Sequence, residues 1–246
     1  MNRFCREYWL VGTVLLLVGF GCQAGTGDSK EKEDTGSEKE TGAPETGDLI
    51  PFSCPDSNGM VPILNDAKEI QFCIDIFEAS IEPGPGLAAE SVEGVLPTIA
   101  ISWYDAKSAC GGVGKRLCTV SEWTDACDGI LGDGGQYYPY GNTQDYSACW
   151  TESADGSAQV DSIQVTGSSQ NCVSLWGVHD LVGNAWEWAD TQTVDENGVP
   201  ITAKLGGAYY SGGADSSCVK GGGGIGAHPP DFEGTISPRC CADPVQ

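Results

Sequence analysis

Ten cysteines are scattered between residues 49 and 246, and no two of them form a CxxC pair. They are Cys54, Cys73, Cys110, Cys118, Cys127, Cys149, Cys172, Cys218, Cys240 and Cys241. In an exported chain an even set of this kind reads as a framework of up to five disulfides. A zinc reading fails, because the only two histidines, His179 and His228, stand apart from any cysteine cluster. So many crosslinks allow a domain to hold its shape with little regular secondary structure.

Export is signalled at the start of the chain. Arg3 and Arg6 precede an apolar run at 8–20 that is broken only by Gly12, Thr13 and Gly19. A charged segment followed by a short apolar one is the pattern of a secretory signal peptide, here 1–21. The run is shorter than the ~20 residues that a membrane-spanning helix needs. It ends in Gly19-Phe20-Gly21-Cys22, which resembles a lipobox, so Cys22 is expected to be acylated and to become the new N-terminus. Neither Gln23 nor Ala24 is the aspartate that marks inner-membrane retention, which points to an outer membrane or cell surface. Residues 22–48 then form the lipidated cysteine and an acidic tether. From 23 to 48 there is no aromatic and no branched aliphatic residue, too little apolar surface to offset chain entropy.

Composition changes at Leu49. From there to the last residue the chain carries 26 acidic and 7 basic side chains, a net charge of −19. That balance argues against nucleic acid and anionic membrane as partners. The length suits one packed domain, 49–246. No GxSxG or HExxH is present, which removes the common hydrolase readings.

Two helices are signalled. Ser102-Trp103-Tyr104-Asp105 reads as a capping box, with Ala106 and Cys110 on the face of Trp103 and Gly111-Gly112 as the stop. Thr119-Val120-Ser121-Glu122 reads as a second box, followed at helical spacing by Trp123, Ala126, Cys127 and Ile130. Strands are expected at 70–75, 98–101 and, irregularly, 204–210. Trp186 and Trp188 lie two apart and face one way in an extended segment, as a pair of core aromatics would. Lys115 and Arg116 read as surface charges, His179 as structural and His228 as exposed in a Gly/Pro-rich loop. The class is a loop-rich α+β domain stapled by disulfides.

Five blocks of this sequence, taken together, carry a family resemblance. They are Cys73-Ile74-Asp75-Ile76-Phe77-Glu78; Ser102-Trp103-Tyr104-Asp105 with Gly114-Lys115-Arg116-Leu117; Tyr138-Pro139-Tyr140-Gly141-Asn142; Asp180-Leu181-Val182-Gly183-Asn184-Ala185-Trp186-Glu187-Trp188; and Leu205-Gly206-Gly207-Ala208-Tyr209 with Pro238-Arg239-Cys240. In this order they resemble the sulfatase-modifying factor family of formylglycine-generating enzymes, over about 51–243. The resemblance implies a fold related to C-type lectins, with few helices and short strands. It also implies the disulfides Cys110–Cys240 and Cys127–Cys218; by remainder Cys118 is expected to pair with Cys241, Cys149 with Cys172, and Cys54 with Cys73.

The same resemblance implies a calcium site on the side chains of Asp180 and Glu187 and the carbonyls of Gly183 and Ala185, a donor set that suits a hard cation. A second calcium site is not expected, since the family's asparagine near Cys149 is replaced. Family activity is copper-dependent oxidation of a sulfatase cysteine, carried by two cysteines five residues apart after the Gly-Gly block. Counted from Gly206, those positions fall on Ser211 and near Ser216. Soft thiolates hold Cu(I) and hydroxyls do not replace them, so no catalytic residue is assigned and copper is not expected. Ala208 and Ser237-Pro238 depart from the pattern as well, and the Gly221–Gly224 run suggests a reshaped loop. The sulfoxide synthases of the wider family rely on a separate histidine-bearing helical bundle, for which this chain has no room. The expected function is a non-oxidase domain that binds a ligand or protein at the cell surface. The alternative is a formylglycine-generating oxidase in sulfatase maturation, with Cys240 and Cys241 recruited for metal.

Overall fold

The computed structural model describes residues 52–56, 59–82, 86–129, 135–219, 225–227 and 234–246. The signal peptide, Cys22, the tether, Ile130, the Gly221–Gly224 run and His228 lie outside these residues. Asp48–Gln246 forms one folded unit.

Two short sheets and two helices carry the fold. β1 (Met60–Leu64) and β2 (Ile70–Asp75) form a hairpin, closed by the Asn65 side chain, which accepts from the Glu69 N–H at 3.0 Å. β10 (Cys240–Ala242) pairs with β2 on one side and with β5 (Arg116–Leu117) on the other, giving the order β1-β2-β10-β5. A separate ribbon joins β3 (Ala79–Ile81) to β4 (Ala89–Ser91). The second four-stranded sheet has the order β8-β7-β6-β9, from β6 (Trp186–Val194), β7 (Pro200–Leu205), β8 (Ile225–Ala227) and β9 (Ile236–Pro238).

Helix α1 (Trp103–Gly112) starts at Ser102, whose hydroxyl accepts from the Asp105 N–H at 3.1 Å. The box is only half made, because the Asp105 carboxylate takes the Ser102 hydroxyl and not its backbone N–H. The helix ends at Gly112, where the sequence put its stop, with Val113 as its cap and Gly114 left-handed at φ +75°. A side chain at 112 would collide with the Leu87 carbonyl, so that glycine serves close packing against the chain before β4. Helix α2 (Val120–Asp128) has the full capping box between Thr119 and Glu122 and closes on Gly129 at φ +78°.

Two expected strands are absent or displaced. Residues 98–101 are not a strand: Ala100 takes φ +56°, and Thr98 is spent on bonds to Ala79 and Ile81. The strand expected at 204–210 is β7, which stops at Leu205 because Gly206 and Gly207 both turn left-handed.

Five disulfides tie the elements: Cys54–Cys73, Cys110–Cys240, Cys118–Cys241, Cys127–Cys218 and Cys149–Cys172. Neighbouring strand residues point to opposite faces. Cys240 therefore reaches α1, and Cys241 reaches Cys118, two residues before α2. The two faces carry separate apolar clusters, one holding Cys240, Trp103, Trp186 and Trp188, the other Cys241, Trp123, Leu181 and Val182. Trp188 is fully buried, its indole N–H on the Ile101 carbonyl at 2.8 Å. The two tryptophans of β6 are thus core aromatics on one face.

Candidate functional site

Behind the first strands lies a buried ionic centre. Arg239, between β9 and β10, is fully buried. Its Nε and Nη2 donate to the two Glu187 oxygens at 2.7 and 2.6 Å, Nη1 to the Asp75 carbonyl and Nη2 also to the His179 carbonyl. Glu187 Oε2 accepts in addition from the Trp123 indole at 2.6 Å. Two more carboxylates are buried nearby. Glu78 accepts from the Asn184 amide and the Ala185 N–H, and Asp180 Oδ2 accepts from the Gly167 N–H at 2.6 Å. Burial, then the charges of Asp180 and Glu187, hold the Glu78 carboxyl well above its ordinary range. Burial pushes Asp180 up to about 6. Three carboxylates around one guanidinium leave this centre short of positive charge.

The Asp180–Glu187 turn is shaped by three left-handed residues, Asp180 at φ +60°, Gly183 at +79° and Asn184 at +56°. A Cβ at Gly183 would lie 2.2 Å from the Trp150 carbonyl oxygen. Gly183 donates its N–H to the Gly206 carbonyl at 2.8 Å, so the two glycine turns are locked together. The calcium donors implied by the resemblance fit this place in part. Glu187 Oε1 and Asp180 Oδ1 keep lone pairs, and the buried residues Gly183 and Ala185 have carbonyls that accept no hydrogen bond from the described residues. Yet no group of three or more His, Cys, Asp or Glu side chains is placed to grip a metal among the described residues. Calcium there would be held largely by backbone oxygen and would supply the missing positive charge.

The second part of the site follows β7. Gly206 and Gly207 carry the chain into a turn that ends in a 3-10 helix, Gly213–Asp215. That turn brings Ser211 and Ser216 together. The Ser211 hydroxyl accepts from the Ala208 N–H at 3.0 Å, and the Ser216 hydroxyl donates to the Ser211 carbonyl at 2.8 Å. A Cβ at Gly207 would lie 2.8 Å from Ser216 Oγ and 3.0 Å from Ser211 Cβ. Neither hydroxyl bonds to a histidine, lysine or carboxylate among the described residues, so neither has the base that activates a nucleophile. Cys218, two residues on, is consumed by Cys127, and Cys240 and Cys241 by Cys110 and Cys118. Metal recruitment by the last two, the alternative left open by the sequence, has no free thiol to use.

Lys115 and Arg116 are not plain surface charges. Lys115 is buried, its Nζ 2.8 Å from Asp75 and 3.1 Å from Asp56. Arg116 forks onto Glu122 and reaches Asp243. His179 stacks on Phe77 at 5.2 Å, as a structural residue would. The sequence marked the blocks that hold Glu78, Asn184 and Arg239 but gave these residues no role, and it read Trp123 only as part of a helix face. The signal available was an arginine inside an apolar closing block, which demands a buried acid.

A family model described as sulfatase-modifying factor enzyme 1-like domain matches residues 77–239. The chain is 34% identical over 119 residues to the inactive C-alpha-formylglycine-generating enzyme 2 of Bos taurus, covering 45% of this chain and 36% of that protein. It is 31% identical over 140 residues to the formylglycine-generating enzyme of Bos taurus, covering 46% and 35%. The chain thus spans about a third of the length of these curated relatives. Among solved structures, the Major Tropism Determinant I1 variant superposes with a TM-score of 0.51 at 17% identity, over 80% of this chain and 56% of that one. At that identity the likeness concerns fold alone. The architecture is the loop-rich, C-type-lectin-like α+β fold that the motif blocks imply.

Proposed function

The chain belongs to the sulfatase-modifying factor enzyme 1-like family, and from that membership we propose that it is a divergent member without the oxidase chemistry, serving as an exported, lipid-anchored binding domain. One observation carries the reading. Ser211 and Ser216, on and near which the motif count puts the family's copper-holding cysteines, stand side by side with their hydroxyls committed to backbone groups. Replacing two thiolates removes a soft-metal site outright and does not merely tune it. The glycine turns and the ionic centre are retained, so the scaffold of the site outlasts its metal chemistry. Binding without turnover is the role left to such a surface, and its occupant is a ligand or protein outside the membrane. The anchor is lipid on Cys22 in an outer membrane, and the acidic tether spaces the domain from it.

The oxidase reading is tested with Cu(I) and a peptide carrying the sulfatase motif, followed by mass analysis. Neither stoichiometric copper nor loss of the peptide thiol is expected. Conversion of that cysteine to an aldehyde overturns the proposal. Lipidation is tested separately by mass analysis of the N-terminal peptide, which should carry acyl chains that disappear in Cys22→Ser.

A further inference from the structure

Residues 137–147 hold four of the chain's eight tyrosines and a single charged side chain, Asp145. The remainder is Pro, Gly, Asn, Thr, Gln and Ser. In so acidic a domain this stretch breaks the pattern of the surface. Aromatic enrichment with few charges marks a recognition surface, and Tyr with Ser, Gly and Asn is the composition of antibody loops. Tyrosine supplies rigid amphipathic contact at little entropic cost, and the small polar residues supply hydrogen bonds.

The loop is braced from within. Its ends sit beside disulfides: the Tyr137 carbonyl accepts from the Cys218 N–H at 2.9 Å, and Cys149 follows Ala148. Tyr138 and Gly141 exchange main-chain hydrogen bonds, and Asn142 Oδ1 accepts from the Tyr137 N–H at 2.8 Å. The Tyr138 and Tyr140 rings stack at 5.3 Å, and the Tyr137 ring meets Tyr138 edge-on. The Tyr140 hydroxyl bonds the main chain of Asp145. Tyr137 and Tyr146 remain 39% and 40% exposed, and Tyr146 stacks on no ring among the described residues.

A concavity of about 660 Å³ opens in this loop, lined by Tyr140 and residues 143–147. Asp145 is its only charge. The Ser147 hydroxyl and N–H donate to Asp145 Oδ1 at 2.6 and 2.8 Å, which holds the carboxyl below its ordinary range and fixes its direction. Oδ2 has no partner among the described residues. An aromatic face beside a fixed carboxylate suits a guanidinium, which stacks and hydrogen-bonds at once, better than an ammonium. Thr143 and Gln144, exposed in the same wall, offer acceptors for its other N–H groups. A second copy of this chain does not supply that group. Outside the segment read as signal peptide its only arginines are Arg116, forked onto Glu122, and Arg239, buried on Glu187.

We propose that the 137–147 loop is a docking face for a partner protein, anchored by one exposed arginine of that partner on Tyr146 and Asp145. The flanking tyrosines supply contact area, and the acidic domain draws the basic partner in. This face shares no residue with the Ser211 turn, so its fate is independent of the oxidase question.

The test uses the full-length protein, isotope-labelled, and the N-acetylated, C-amidated pentapeptide Gly-Ser-Arg-Ser-Gly. Saturable shifts are expected at the amides of residues 143–147, with affinity falling as salt is raised. A peptide with lysine for arginine loses the stack and should bind about three-fold more weakly. One with citrulline keeps the plane, loses the charge and should not saturate. Asp145→Asn and Tyr146→Ala should each weaken binding about three- to five-fold. No saturable shift, shifts confined to other elements, or equal binding by either control peptide overturns the proposal. Shifts at the same amides with methyl β-glucoside and none with the arginine peptide would make the loop a sugar site and overturn it as well. The control peptides need no variant, so the result stands even if a variant is poorly folded.

Discussion

Arg239 satisfies Glu187 through two parallel bonds and gives its remaining donors to carbonyls 60 and 164 residues away in sequence. Removing one partner of a buried ion pair leaves an uncompensated charge, which typically costs about 3–5 kcal/mol. Arg239→Ala should lower unfolding stability by that order in a denaturant titration. Arg239→Lys should recover only part of it, because an ammonium cannot fork onto both oxygens. Asp75 makes a pH prediction. Burial raises its carboxyl from 3.8 to about 6, against the opposing pull of Lys115. The folded chain thus holds this proton more tightly than the unfolded one. The sign follows: the contribution is complete below the unfolded pKa and is lost as pH rises through about 6. Stability measured at pH 4.5 should exceed that at pH 7.5, and Asp75→Asn should flatten this slope. Little of this chemistry was legible at single positions. Arg239 stands out only by its apolar neighbours in the closing block, and Lys115 looks like any cation until the fold surrounds it with acids.

Among the elements, legibility followed the locality of the signal. α2 was readable because its box and its apolar spacing lie within a dozen residues, although its glycine stop at Gly129, one residue before Ile130, was not read. The end of α1 fell where the sequence put it, though Gly112 itself is fixed by a contact with Leu87 and the left-handed residue is Gly114. The length of β6 escaped notice for a related reason. Its first four residues are buried on both faces, with Glu187 inside among tryptophans, so neither strict alternation nor an unbroken apolar run was present. Likewise, counting placed Ser211 and Ser216 at the site, but only the 3-10 turn between them makes them neighbours. The Asp180–Glu187 turn is the element most exposed to a single change. Gly183→Ala would place a Cβ against the Trp150 carbonyl at φ +79°. The backbone strain alone is worth about 1–3 kcal/mol, and the collision adds to it. Thermal melting should show a large drop, with Gly207→Ala a second case in the Ser211 turn.

For the whole molecule, the deficit of positive charge at the ionic centre is the property with the widest reach. A cation that binds the folded chain alone stabilises it by RT ln(1 + [L]/Kd), about 2.7 kcal/mol at a hundred-fold excess over Kd. Calcium should therefore raise the melting temperature and a chelator lower it. Asp180→Asn should remove the response. An unchanged melting temperature in all three would exclude the calcium site that the resemblance implies. That ten cysteines would crosslink the domain was readable from their even number; which partners they take came with the family motifs.

The adjacent pair Cys240-Cys241 also sets a schedule for making the protein. If the chain is exported as proposed, Cys110, Cys118 and Cys127 emerge from a translocation channel in turn, while their partners follow 130, 123 and 91 residues later. An oxidant that joins thiols in order of arrival would link Cys110 to Cys118 and Cys127 to Cys149, and both bonds are wrong. Only exchange, with a thiolate attacking a misplaced disulfide, returns Cys110, Cys118 and Cys127 to Cys240, Cys241 and Cys218. Yield in the cell should accordingly be limited by disulfide isomerisation and not by oxidation, and a strain lacking its isomerase should accumulate scrambled, protease-sensitive chains.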